Sequence, residues 1–143
     1  MTLKMLCTLI AKYGIQNKII NSSMAGSDIY AINGMTIDSY PLLFCSPTGT
    51  HNIEKDTTTY EITLYYLDRL LQDSSNEMDI LSTSLEALKN IIWGIERMDG
   101  IVDVSEVLPI RNFTETEAFS DRLGGAWCTF QIKVLNAYTC PEE

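Results

Sequence analysis

Few side chains in this chain are of a type that does chemistry. Its single histidine, His51, lies in the polar stretch PTGTHNIEKDT (47–57). A Cys–His nucleophilic pair needs a thiol within hydrogen-bond reach of the imidazole. Cys45 sits six residues earlier in a short apolar run, and Cys128 alternates with the apolar residues of a strand-like segment. Both thiols are therefore expected in a core, and His51 reads as a solvated loop histidine. A zinc site needs four converging ligands. The cysteines, Cys7, Cys45, Cys128 and Cys140, are dispersed and none is paired at CxxC spacing. They read as free, mostly buried thiols of a reducing compartment.

Carboxylates are more plentiful. Glu115 and Glu117 flank Thr116 and would share a face of an extended chain, with Asp121 close behind. Glycoside hydrolysis needs two such groups across a cleft, and nothing in the segment suggests a cleft. A run of acids in a loop is more simply a solvated surface, as is Glu54 with Asp56. The chain has no GxxxxGK[ST], no GxGxxG after a strand and no GxSxG. Gly124-Gly125 precedes a strand and not a helix, so it builds no phosphate-binding helix terminus. The expectation is a protein without catalytic residues, metal or cofactor.

Length and charge narrow the class further. The 143 residues suit one domain, and 45% hydrophobic with 20% charged residues is a globular composition. Net charge is −9, from 19 acidic and 10 basic side chains, which argues against a surface that grips nucleic acid. No apolar run reaches the roughly 18 residues of a membrane span. The N-terminal MTLKMLCTLIAKYG lacks a cleavage site typical of a signal peptide, so the expected place of synthesis is the cytoplasm.

The elements that must position these residues follow from periodicity. Leu3, Leu6, Ile10 and Tyr13 mark a helix face, with Gly14 as its stop. Residues 15–28 read as a loop, and 29–46 as extended chain interrupted at Asn33-Gly34 and ending in the buried run Pro41–Cys45. Residues 47–57 form a protruding polar loop. TTYEITLYYLD (58–68) alternates, with Tyr60, Ile62, Leu64 and Tyr66 on one face, and would pair with 40–46 as a long hairpin. A long helix spans 74–99, opened by a Ser74/Glu77 capping box and closed by Gly100. Its apolar stripe is Met78, Leu81, Leu85, Leu88, Ile91, Ile92 and Ile95. An extended stretch from Ile101 reaches Ile110, with Pro109 marking an edge or bulge. The acidic segment 112–125 then returns the chain to a last strand, 126–135. There Cys128, Phe130, Ile132 and Val134 point to the core, and Gly124-Gly125 supplies a bend. By alternation Tyr65 and Trp127 lie on otherwise polar faces, either as aromatics in protein–protein contacts do or packed there under the N-terminal segment. The fold class is α+β: a mostly antiparallel or mixed sheet of four to five strands against a long amphipathic helix and a short N-terminal one.

This layout, with the segments YEITLYYLDRLLQDSSNEMDILSTSLEALKNII (60–92) and FSDRLGGAWCTFQIKV (119–134), resembles the tail-terminator and neck proteins of tailed bacteriophages. It looks like small connector proteins of phages of gut Bacteroidetes, including crAss-like phages, over roughly the C-terminal three-fifths of the chain. The resemblance implies a structural virion protein. It would form a homo-oligomeric ring of about six or twelve copies between portal, connector and tail proteins, through which DNA passes without specific binding. An acidic lumen would let DNA slide. Subunit contacts are then expected from the loop, at His51, Asn52, Ile53 and Glu54, and from the acidic segment, at Phe113, Glu115, Glu117 and Phe119. Tyr65 and Trp127 complete the set. The alternative is a small acidic binding or inhibitor module of phage origin that acts on a host protein, with the acids imitating nucleic acid.

Overall fold

The computed structural model describes residues 2–16, 20, 22–26, 40–47, 49, 51–71, 75–105, 109–115 and 123–136. In chain order these form α1 (Leu3–Ile15), β1 (Ser22–Ala25), β2 (Leu42–Pro47), β3 (Asn52–Ile53) and β4 (Thr57–Arg69). There follow α2 (Glu77–Glu96), β5 (Ile101–Val104), β6 (Ile110–Glu115) and β7 (Leu123–Leu135).

β4 and β7 carry the β-branched, aromatic-rich alternation that suits a pleated surface. They pair antiparallel over their full thirteen residues, from Thr57 opposite Leu135 to Arg69 opposite Leu123. Each long strand is then flanked by two short ones laid end to end. β2 and β3 line the outer edge of β4, and β5 and β6 the outer edge of β7. β1 joins β2 in the one parallel pair among the described residues. The result is a mixed sheet of seven strands with the path β1-β2-β4-β7-β5.

The α+β class is as expected, but the sheet is larger than four to five strands. The three additions are β1, placed in an expected loop, β3, inside the expected protruding loop, and β6, which begins at the end of the expected edge stretch and runs into the acidic return. Their sequences, SSMA, NI and IRNFTE, carry no apolar alternation. Backbone pairing places them at the edge, with only a few side chains such as Met24, Ile110 and Phe113 packed inward, and that leaves little mark on side-chain pattern. Residues 27–39, with the Asn33-Gly34 turn, lie outside the described residues.

Both helices cover one face of the sheet. Leu6, Cys7 and Ile10 of α1 share a buried cluster with Ala87, Leu88, Ile91, Ile92 and Ile95 of α2. Ile62, Leu64, Tyr66, Cys128, Phe130, Ile132 and Val134 supply its floor. The expected stripe of α2 is right at Leu81, Leu88, Ile91, Ile92 and Ile95 and wrong at Met78 and Leu85. Met78 is 74% exposed and Leu85 is 38% exposed, while Ile80, Ser84 and Ala87 are buried. The small Ser84 and Ala87 let the helix lie close to the sheet, which turns the larger residues outward. Asn76 holds the N-cap position of α2, but its side chain makes no capping bond; it accepts from the Leu71 N–H at 2.8 Å and donates to the Arg69 oxygen at 3.0 Å. Ser74, the expected capping residue, lies outside the described residues.

Two glycines serve purposes other than those expected. Gly14 does not stop α1; it is buried within it, and a Cβ there would come 2.3 Å from Leu43 Cδ2. It is the notch through which α1 meets β2. Gly125 lies within β7 and not in a bend before it, with φ +154 and its pairing to Leu67 intact. A Cβ there would stand 1.8 Å from the backbone oxygen of Tyr66. Gly125→Ala should therefore cost roughly 2–4 kcal/mol, read as a shift in the urea midpoint. A loss under about 0.5 kcal/mol, the size of a surface change, would contradict this close approach.

Candidate functional site

His51 and the thiols of Cys45 and Cys128 do not come together. His51 Nδ1 accepts a hydrogen bond from the Glu61 backbone N–H at 3.2 Å, and its ring meets Tyr60 edge-on at 5.6 Å. It is exposed, as expected of a loop histidine, and this bond ties it to the sheet. Cys45 and Cys128 are fully buried on the helix-covered face. Burial pushes the Cys128 thiol up to about 12. Cys45 is raised by its hydrogen bond with Cys7 and by burial, so both are protonated at neutral pH. Among the described residues, no three of His, Cys, Asp and Glu converge as a metal ion requires. No described helix is long and apolar enough to cross a membrane.

Two surface features hold most of the expected contact residues instead. The first is the hairpin of β3 and β4. A two-residue strand is marginal by itself, and here an asparagine at the end of β7 secures it. Asn136 Nδ2 donates to the backbone oxygens of Glu54 (3.0 Å) and Lys55 (3.3 Å). Its Oδ1 accepts from Thr58 Oγ1, and its N–H donates to the Asp56 oxygen at 2.9 Å. The Glu54 N–H closes the turn onto the Thr57 oxygen at 2.8 Å. Asn52 and Ile53 pair with Thr59 and Thr58. The tip is therefore latched to the sheet, and on it Ile53 is 83% exposed.

The second feature is on the helix-free face. Met24, Phe44, Tyr65, Trp127 and Arg111 stand in one cross-strand row over β1, β2, β4, β7 and β6. Tyr65 and Trp127 stack at 6.1 Å, with Phe44 and Phe113 edge-on to Tyr65 at 6.3 and 5.9 Å. The Arg111 guanidinium lies 5.8 Å from the Trp127 ring, and Arg69 lies 4.9 Å from Tyr40. Such pairs add about 0.5–1.5 kcal/mol each beyond burial. Leu42, Phe44, Leu67 and Leu123 are buried beneath, forming a second, smaller core. Tyr65 and Trp127 are thus half-buried members of a cluster, not isolated exposed rings. The same face turns polar toward the other end of the strands, where Thr63 and Thr129 share a 2.8 Å hydroxyl bond.

The structure thus groups His51, Asn52, Ile53 and Glu54 at one edge and brings Tyr65, Trp127 and Phe113 together on the helix-free face. Glu115 ends β6 opposite Leu123; Glu117 and Phe119 lie outside the described residues. Periodicity misses Asn136, whose only sequence signal is a short polar residue ending an apolar strand. It also misses Trp93, which is 52% exposed on α2 with Lys89 Nζ 5.5 Å above its ring.

Two consequences are measurable. Asn136→Ala should free the tip, raising tryptic cleavage after Lys55 about tenfold or more, an opening easier by about 1.4 kcal/mol. Unchanged cleavage would mean the latch is redundant. The second concerns alkaline pH. Cys128 is raised in the folded state from its usual value near 9 to about 12, so its stabilising effect is complete below about pH 9 and lost as pH rises toward 12. Stability by urea unfolding should fall across that window, less steeply in Cys128→Ala. Equal slopes would remove Cys128 as a source.

No protein-family model matches the chain, and no curated protein does.

Proposed function

We propose that the chain is a non-enzymatic structural subunit of a tailed-phage virion. It would be one member of a ring in the neck or tail that joins portal or capsid to tail around the DNA channel. The observation that carries this reading is the latched hairpin. Ile53 is 83% exposed on a tip secured by Asn136 to the end of β7. Holding an aliphatic side chain rigidly in water costs stability and serves no core, whereas a preorganised apolar tip loses little entropy on docking. The aromatic row on the helix-free face is a second, separate patch, rich in the Tyr, Trp, Phe and Arg that anchor interfaces. A ring needs two unlike patches on each subunit, since its contacts are heterologous. The net charge of −9 suits a wall that DNA passes without adhering.

Light scattering after size exclusion, over a range of protein and salt concentrations, tests the reading. The expected result is a discrete oligomer of about six or twelve copies and the chain's presence in purified virions. A monomer at every concentration that is also missing from virions would contradict it and favour the small acidic binding module.

A further inference from the structure

The outer surface of the helical layer is apolar in a way the sheet does not require. Nine large hydrophobic side chains are exposed among the described residues, and five of them, Met5, Ile15, Met78, Leu85 and Trp93, lie on α1 and α2. Two of the five, Met78 and Trp93, are more than half exposed on α2, and Met5 is so on α1. Beside Met5 and Leu9 runs a shallow hollow of about 330 Å³, bounded by Lys4 and Lys12.

The two helices differ in charge. The first 27 residues hold three of the chain's ten basic side chains and none of its nineteen acidic ones. Lys4 and Lys12 are both exposed on α1, so its outer face is purely cationic. On α2, Asp79, Glu86 and Glu96 are exposed with one cation, Lys89, which Glu86 already engages at 3.3 Å. That helix face is net anionic. The layer therefore presents a basic apolar ridge beside an acidic apolar one, both laid over the same buried cluster.

We infer that this layer is a self-complementary docking surface for a second copy of the chain, with α1 of each copy on α2 of the other. A two-fold axis satisfies both contacts at once, which doubles the complementarity. Met5 and Leu9 then meet the surface of Met78, Leu85 and Trp93, while Lys4 and Lys12 face Asp79 and Glu86. Trp93 is the anchor, being the residue type that most often dominates such contacts. The pairing goes beyond the ring reading, because it uses neither the hairpin nor the aromatic row, and would join subunits or whole rings face to face.

The test is a pair of opposed charge reversals, Lys4→Glu/Lys12→Glu and Asp79→Lys/Glu86→Lys, sized by light scattering alone and as an equimolar mixture, with far-UV circular dichroism alongside. In the first variant both ridges are acidic and in the second both are basic, so each should lose the pairing. In the mixture every ridge meets its opposite, so a one-to-one complex should return and weaken at high salt. That rescue cannot come from misfolded chains. Wild-type mass in both variants would overturn the pairing, and a ring retained in them would leave the ring reading intact. A wild-type chain that never self-associates would overturn it as well. Binding to anionic phospholipid vesicles that Lys4→Glu/Lys12→Glu abolishes would then assign the α1 ridge to a lipid surface instead.

Discussion

The thirteen-residue ladder between β4 and β7 is the constraint on which the rest of the molecule depends. Side chains alternate with period two, so a slip of one residue would exchange the core set for the helix-free set along both strands. Three contacts of different kind oppose that slip. Tyr65 stacks on Trp127 directly across the ladder, and Thr63 bonds Thr129 in the next pair on the same face. On the far side of the aromatic pair, Gly125 admits the Tyr66 backbone at a distance no Cβ tolerates. With the register fixed, β2, β3, β5 and β6 find their places at the outer edges of these two, and β1 adds to β2.

The ladder also explains why two cores coexist. The helix-covered face buries aliphatic residues against α1 and α2, and its partner face gathers aromatic rings over Leu42, Leu67 and Leu123. A sheet buried on one side only would show clean polar alternation; this one does so only toward the end where Glu61, Gln131 and Lys133 lie. The hairpin that carries Ile53 is an extension of the same ladder, because Asn136, which secures it, is the next residue after β7. The hairpin tip and the aromatic row are thus both built on the long ladder, as a preorganised contact requires.

What was legible in the sequence tracks how strongly side-chain pattern reports structure. The alternation of Tyr60, Ile62, Leu64 and Tyr66, and of Cys128, Phe130, Ile132 and Val134, gave the two long strands and their inward faces. The helix was clear, but its rotation was not. Met78 and Leu85 fit an apolar stripe as well as Ile80 and Ala87 do, and only close approach to the sheet chooses between them. The short strands β1, β3 and β6 pair through backbone groups that no composition reports. Of the contact residues, Tyr65 and Trp127 were found by parity, whereas the role of Asn136 depends on a turn about eighty residues earlier in the chain, beyond the reach of local patterns.

The claim that the exposed tip is a rigid extension of the central ladder is tested most directly by native-state hydrogen exchange, read amide by amide. The amides of Ile62, Leu64, Phe130 and Ile132 should exchange only through global unfolding, and those of Glu54 and Asn136 should open within about 1–2 kcal/mol of that limit. Glu54 and Asn136 exchanging at the rate of an open loop, while the ladder stays protected, would contradict it.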